Sequence, residues 1–395
     1  MFHVVAGARP NFMKVAPILR EMDRRGLECR FVHTGQHYDD AMSDTFLREL
    51  GIRAPDVHLG VGSGSHGVQT ARVLTAFEAH LLQAPCACVV VVGDVNSTMA
   101  CTLAASKLGV PVAHVEAGLR SFDRTMPEEI NRVVTDAVAD LLLVSEPAGL
   151  ENLAREGVPP ERVAYVGNVM IDTLVAELPA ARSATILAEL ELAERSYAYV
   201  TLHRPATVDS KDRLEAAVGL LECLSLQLPV VFAVHPRTRG RLEAGQLYER
   251  LSRNAAIRLL TPQPYRASLR LMASARMVLT DSGGIQEETS YLGVPCVTLR
   301  PNTERPVTTT VGTNVVVGED VANAWGPIGE ILAGRQRTGR PIPGWDGCAA
   351  GRIVDELVRR FAPGSIRGVP LSVDSSSAAL LQALDSPGQA RSDAS

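Results

Sequence analysis

Two hydrophobic runs in this chain show no alternation, and each is followed by a helical pattern. Val89-Val90-Val91-Val92 precedes the helical stretch Ser97 to Leu108, and Leu141-Leu142-Leu143-Val144 precedes Ala148 to Glu156. A strand that is apolar at every position must be covered on both faces, which is the condition of a parallel sheet flanked by helices. Phe2 to Ala6, Cys29 to His33 and Val112 to Val115 continue the rhythm, so the first half of the chain is a βα series. Between about Asp172 and Arg195 the strand signal lapses into a stretch rich in Ala, Glu and Leu. A second series then starts at Tyr197 to Leu202 and runs through Val230 to Val234, Ile257 to Leu260, Met277 to Thr280 and Pro295 to Leu299, ending in a helix from Ala349 to Arg360. The expected fold class is α/β, with two βα lobes facing across a cleft, residues 1–175 and 176–361. A Ser-, Ala-, Gly- and Pro-rich tail, 362–395, is expected to be partly disordered.

Composition narrows the function. The 395 residues are 46% hydrophobic and 21% charged, the profile of a soluble globular protein. A net charge of −5 with mixed signs throughout leaves no basic stripe for nucleic acid and no cationic amphipathic helix for a membrane. No apolar run approaches the ~20 residues of a spanning helix, and Met1-Phe2-His3 runs straight into a strand, so a cytoplasmic location is expected. Cys86-Ala87-Cys88 has no second pair at zinc spacing, and no metal site is expected.

In open α/β sheets ligands bind where strands end and helices begin. Gly7-Ala8-Arg9-Pro10 brings Arg9 and, one turn on, Lys14 to a helix N-terminus that favours an anion; lacking G-x-G-x-x-G, the segment is equally an ordinary strand–helix turn. The glycine-rich run 60–67 lacks the Lys-Ser/Thr ending of a phosphate loop and reads as a surface or lid loop from which His66 could reach the cleft. Gly93 lets the chain turn so that Asp94 projects from the sheet edge, with Asn96 or Ser97 left to cap the next helix. Glu116 leaves a strand, and Pro127-Glu128-Glu129 opens a helix. First-turn acids are commonly dipole partners, the plain reading of Glu128 and still more of Glu129. Asp94, Glu116 and Glu128 on one edge would, however, raise one another's pKa values and hold an acid and a base together. In the second series His203-Arg204 and His235-Pro236-Arg237 end strands and line the facing edge. Thr280-Asp281-Ser282-Gly283-Gly284 turns a strand into a helix whose bare amides suit a diphosphate, and Glu288, a turn or so later, suits ribose hydroxyls.

With these residues in view the chain resembles the UDP-N-acetylglucosamine 2-epimerase family, in its non-hydrolysing bacterial branch. The resemblance is carried by Gly7-Ala8-Arg9-Pro10, Thr34-Gly35-Gln36-His37, Gly93-Asp94, His114 to Arg120, Pro127 to Arg132, His203-Arg204, Thr280 to Glu288 and Thr303-Glu304-Arg305-Pro306, in order over about residues 1 to 318. It implies a GT-B-like fold of two Rossmann-like lobes, a UDP-sugar substrate, no metal or other cofactor, and a homodimer. It also implies a mechanism. A base removes the C2 proton of the sugar as UDP leaves C1, giving a 2-acetamidoglucal; UDP re-adds as a proton reaches the opposite face of C2. Carried over by position, Asp94, Glu116 and Glu128 are the acid/base candidates and His203 aids the leaving diphosphate. Arg9, Lys14 and Arg132 contact phosphate or sugar, Ser282 and Gly283 the diphosphate, Glu288 the ribose, and Arg305 the sugar-phosphate region.

Three departures bear on the substrate. Pro205-Ala206-Thr207 follows the His-Arg pair where the family carries a carboxylate, Ser268 replaces an aromatic residue on the nucleotide side, and Tyr38-Asp39 replaces Arg-Glu. Tyr38-Asp39 with Ser65-His66-Gly67 looks more like the branch acting on 2,3-diacetamido uronic acid nucleotides. A hydrolysing 2-epimerase, a glycosyltransferase of the same fold and a nucleotide-sugar binding protein without turnover are the other readings.

Overall fold

The computed structural model describes residues 1–36 and 49–362. The segment containing Tyr38-Asp39 and the tail beyond residue 362 lie outside the described residues. Among the described residues two sheets are formed, and their neighbours pair in parallel. The first has seven strands: β1 (Phe2–Ala6), β2 (Cys29–His33), β3 (Val57–His58), β4 (Cys88–Val92), β5 (Val112–Ala117), β6 (Leu141–Val144) and β7 (Val163–Tyr165), in the order β3-β2-β1-β4-β5-β6-β7. The second has six: β8 (Ala198–Thr201), β9 (Val230–Ala233), β10 (Ile257–Leu260), β11 (Met277–Thr280), β12 (Cys296–Thr298) and β13 (Asn314–Val316), in the order β10-β9-β8-β11-β12-β13. Every residue of β4 and of β6 is buried, as strands covered on both faces must be. The short β3, β7 and β13 were not expected, because two or three residues at or near a sheet edge carry no readable period.

Both strand orders reverse once, between β1 and β4 in the first sheet and between β8 and β11 in the second. At such a switch point the connections leave in opposite directions and open a crevice at the carboxyl edge. The segments from Gly7 to Lys14 and at Gly93-Asp94 follow the first pair of strands; His203-Arg204 and Asp281 to Gly284 follow the second. Topology thus assigns four of the chemically suggestive segments to two crevices.

The helix Val169–Arg182 joins the lobes. It packs on the Arg9–Arg24 helix of the first lobe and on the Tyr265–Ala273 and Gly283–Leu292 helices of the second. The Thr173 hydroxyl donates to the Met13 carbonyl at 2.6 Å. The last helix, Ala349–Phe361, returns to pack on Arg9–Arg24, and Asp172 accepts hydrogen bonds from its first two amides, Ala349 and Ala350, at 3.0 and 2.7 Å. One apolar core therefore runs without a break from Phe12 and Met22 to Tyr197 and Leu269.

A second buried layer, between the first sheet and the His66–Gln83 helix, contains a polar exception. His3 is wholly buried, neither ring nitrogen has a hydrogen-bond partner, and its ring centroid lies 4.9 Å from that of His80. Burial first, then the neighbouring His80 and Arg30, push its pKa down from 6.5 to about 4. The unfolded chain therefore binds more protons between those values, and folding stability falls as pH drops from about 6.5 to 4. His3→Leu is expected to remove about 3 kcal/mol of this acid sensitivity, read from urea midpoints at pH 7 and 4.5; an unchanged pH slope would refute it.

Candidate active site

The first lobe places its acids by backbone geometry. Gly93 turns out of β4 at φ 66°, a conformation that favours glycine, and a Cβ there would lie 2.6 Å from Lys14 Nζ and displace it. The turn is tied down by His114, whose Nε2 donates to the Gly93 carbonyl at 2.8 Å while Nδ1 meets Asp136 at 2.6 Å. Asp94 follows, and Arg132 Nη2 bonds its Oδ2. Burial pushes the Asp94 carboxyl up, but the charges of Arg132, Lys14 and Arg305 outweigh it and hold the group below the usual carboxylate range.

Glu116 belongs to β5, not to the loop after it. It sits in the left-handed region at φ 74°, where the β5–β6 register shifts between Val115 and Ala117. Such a bulge re-aims one side chain. The Glu116 carboxylate receives Lys14 Nζ on Oε2 and, from the other lobe, Arg305 Nη2 on Oε1 at 2.7 Å.

Glu128 and Glu129, adjacent in the first turn of Pro127–Val138, have separate tasks. Glu129 is buried and accepts from the Ser121 and Phe122 amides at 2.9 Å and from Arg132 Nη1 at 2.9 Å, which orients the partner of Asp94. Glu128 is half-buried and, among the described residues, has no hydrogen bond or ion pair.

In the second lobe His203 Nδ1 lies 3.2 Å from Asp281 Oδ1, and the same carboxylate accepts from the His203 and Arg204 amides at 3.0 and 2.9 Å. Burial raises the Asp281 pKa, but His203 and these amides outweigh it and keep it ionised. His235 stands with its ring 5.6 Å from that of His203. Ser282 precedes the Gly283–Leu292 helix, whose first-turn amides have no intrahelical acceptor. Gly283 serves packing as well, since a Cβ on it would come within 2.6 Å of Arg305 Nη1; Gly284 is less crowded, 3.8 Å from Met170 Cε.

The lobes meet through charge. Arg305 is buried and reaches Glu287 Oε1 at 2.6 Å, Glu304 Oε1 at 2.6 Å and Glu116 Oε1 at 2.7 Å. Glu304 also receives Arg300 at 2.7 Å and lies 3.4 Å from Arg204 and 3.8 Å from Arg132. Asp94, Glu116, Lys14 and Arg132 of one crevice thus converge on Arg305 and the Gly283 helix start of the other. Carboxylates beside a set of amides and cations suited to a phosphate can move a proton while that phosphate leaves.

The profile of the UDP-N-acetylglucosamine 2-epimerase family matches residues 20–358. The chain belongs to this family. It is 40% identical over 356 residues to the UDP-N-acetylglucosamine 2-epimerase of Methanocaldococcus jannaschii, covering 89% of this chain and 97% of that one. It is also 40% identical over 318 residues to the UDP-2,3-diacetamido-2,3-dideoxy-D-glucuronate 2-epimerase of Pseudomonas aeruginosa, covering 80% and 87%. The crystal structure of the M. jannaschii enzyme with UDP-GlcNAc and UDP superposes with a TM-score of 0.84 at 39% identity, covering 90% and 99% of the chains. The GT-B-like fold, the epimerase class and the two-lobed architecture of the sequence analysis all stand. No described helix is long and apolar enough to cross a membrane.

Within the family site several of the expected residues have partners inside the protein, and the expected helix cap is corrected. Lys14, Arg132 and Arg305 were expected as ligands of phosphate or sugar, and each is ion-paired to a carboxylate of the protein. Glu288 was expected to face ribose; it is buried, accepts from the Tyr265 hydroxyl at 2.7 Å, and burial pushes its pKa up to about 7. Arg237 is half exposed and bonds Asp209. Arg9 opens its helix, and its side chain lies outside the described part. Neither Asn96 nor Ser97 caps the helix after Asp94. Val95 holds the cap position, and the Gln36 side chain accepts from the Ser97 amide at 3.2 Å. His66 bonds Asn96 at 3.1 Å. Ser268, at the position of the missing aromatic, bonds the Tyr199 hydroxyl at 2.8 Å. Sequence reading missed Asp281, Glu287 and Glu304 as site carboxylates. Each is next to a residue it did select, and that adjacency was the available signal.

Proposed function

We propose that this enzyme interconverts UDP-GlcNAc and UDP-ManNAc without releasing free sugar. The observation that carries the reading is the meeting of Glu116 with Arg305 across the cleft, beside Asp94 on one side and the Ser282-Gly283-Gly284 helix start on the other. In this reading Asp94, Glu116 and Glu128 share removal and return of the C2 proton. His203, oriented by Asp281, assists the departing diphosphate, which the Ser282, Gly283 and Gly284 amides receive. Arg9, Lys14, Arg132 and Arg305 bind phosphate and sugar, His235 and Arg237 border the nucleotide side, and Glu288 takes the ribose. UDP leaves C1 as the C2 proton is removed, and its return with a proton on the opposite face inverts C2. The domain limits near residue 175, a homodimer and a cytoplasmic location complete the reading; light scattering of the purified protein checks the dimer.

Incubation with UDP-GlcNAc in deuterated water, followed by proton NMR, tests it. Deuterium at C2 with UDP-ManNAc appearing supports the reading; free ManNAc with UDP supports a hydrolysing enzyme, and binding without exchange a non-catalytic protein. A 2,3-diacetamido uronic acid nucleotide is the second substrate to try, favoured by the 40% identity to the P. aeruginosa enzyme.

Asp281→Asn is expected to lower kcat by roughly 10-fold or more, because His203 loses the charged acceptor that orients it. Steady-state kinetics with kcat unchanged would remove the orienting role.

A further inference from the structure

Glu146 follows β6 by two residues and is 1% exposed, yet neither carboxyl oxygen completes a hydrogen bond. The Val307 amide is near enough to act on its charge but makes no bond of normal geometry. A lone carboxylate in such a place costs several kcal/mol. Burial pushes the Glu146 pKa well above the usual range, Arg305 opposing and Glu287 adding to the shift, so the fold favours the neutral, protonated form of the group. A neutral carboxyl has an O–H to donate.

The seam supplies the complementary need. Glu287 spends Oε1 on Arg305, and its buried Oε2 has no partner. Five cations, Lys14, Arg132, Arg204, Arg300 and Arg305, face five carboxylates, Asp94, Glu116, Glu129, Glu287 and Glu304, a set that closes on itself and leaves no cation to pair with Glu146. The titratable groups that face Glu146 are Arg305 and Glu304 ahead of the Pro306–Thr310 helix, Glu287 in the Gly283–Leu292 helix and Tyr165 in β7.

We infer that Glu146 is a positioning residue for the epimerisation: its carboxyl O–H donates to the free oxygen of Glu287 and thereby keeps Arg305 turned toward Glu116. This rests on the epimerase reading above. Ionised, Glu146 would lose the donor and pull Arg305 back from Glu116.

The test compares Glu146→Leu, which removes the donor, with Glu146→Gln, which replaces it by an amide donor. Glu146→Leu is expected to lower kcat at least ~10-fold, the scale of a misplaced site residue, and Glu146→Gln to recover most of that loss. Thermal midpoints give a readout independent of turnover. A raised native pKa means that wild type loses stability as pH rises above the unfolded value, so Glu146→Gln is expected to melt higher than wild type at pH 8 and alike at pH 4. Equal impairment of the two variants, full activity of Glu146→Leu, or a Glu146→Gln melting advantage no larger at pH 8 than at pH 4 would each overturn the proposal. If wild type itself exchanges no C2 proton with any sugar nucleotide, the epimerase reading fails. The comparison is then made on UDP affinity by calorimetry, where equal affinities of Glu146→Leu and wild type would overturn the role of Glu146.

Discussion

Glu116→Gln is expected to slow deuterium incorporation at C2 by at least ~10²-fold, the scale of losing a general acid or base. The substitution keeps the size of the side chain and the bulge at φ 74°, but removes the charge that meets Lys14 on one oxygen and Arg305 on the other. Two cations are then left without their shared acceptor, and the amide can neither take nor return a proton. UDP affinity is expected to survive, because the amides at the Gly283 helix start are untouched. Exchange near the wild-type rate would exclude Glu116 from the proton transfer. Loss of UDP binding together with exchange would mean that Glu116 acts through the architecture of the seam rather than through the proton.

Arg305→Leu is expected to destabilise the fold by about 3 to 5 kcal/mol, the usual cost of removing one partner from a buried ionic cluster. Glu116, Glu287 and Glu304 each lose a hydrogen bond of 2.6 to 2.7 Å to the same guanidinium. Three buried carboxylates would then repel one another in a low dielectric and take up protons on folding. The loss is therefore expected to be larger at pH 8 than at pH 5, where protonation relieves the repulsion. Denaturant midpoints at the two pH values measure it. A variant as stable as wild type at pH 8 would show that the carboxylates reach solvent or Arg300 once Arg305 is gone.

Which features are legible in the sequence depends on the range of the interactions that make them. Val89 to Val92 and Leu141 to Leu143 are recognisable as two-faced strands because burial on both sides leaves no other composition possible. Pro127 opens its helix as its position indicated, since the ring sets φ for a first turn locally. Glu129 shows where local reading stops. Its place in the first turn says dipole partner, and its role is to hold the Ser121-Phe122 turn and aim Arg132, contacts 8, 7 and 3 residues away. Lys14 by its place at a helix start, and Arg132 by the family resemblance, read as cations for phosphate or sugar, because a sequence does not show that Asp94 lies 38 residues, or Glu116 102 residues, from its partner yet within bonding distance.

By itself, the sequence determined that this chain is a pair of parallel βα lobes with its chemistry at the strand exits, and the residues of its motifs carry the resemblance to its family. Strand character, helix starts and motif identity are carried by residues within a few positions of one another. Tertiary structure alone decided which exits flank the two switch points, that Glu116 is a bulge within a strand, and that Arg305 binds three carboxylates drawn from both lobes. Those facts depend on strand order and register, which bring distant residues within 3 Å, and on desolvation, which turns ordinary acids such as Glu146 and Glu288 into groups with shifted proton affinity.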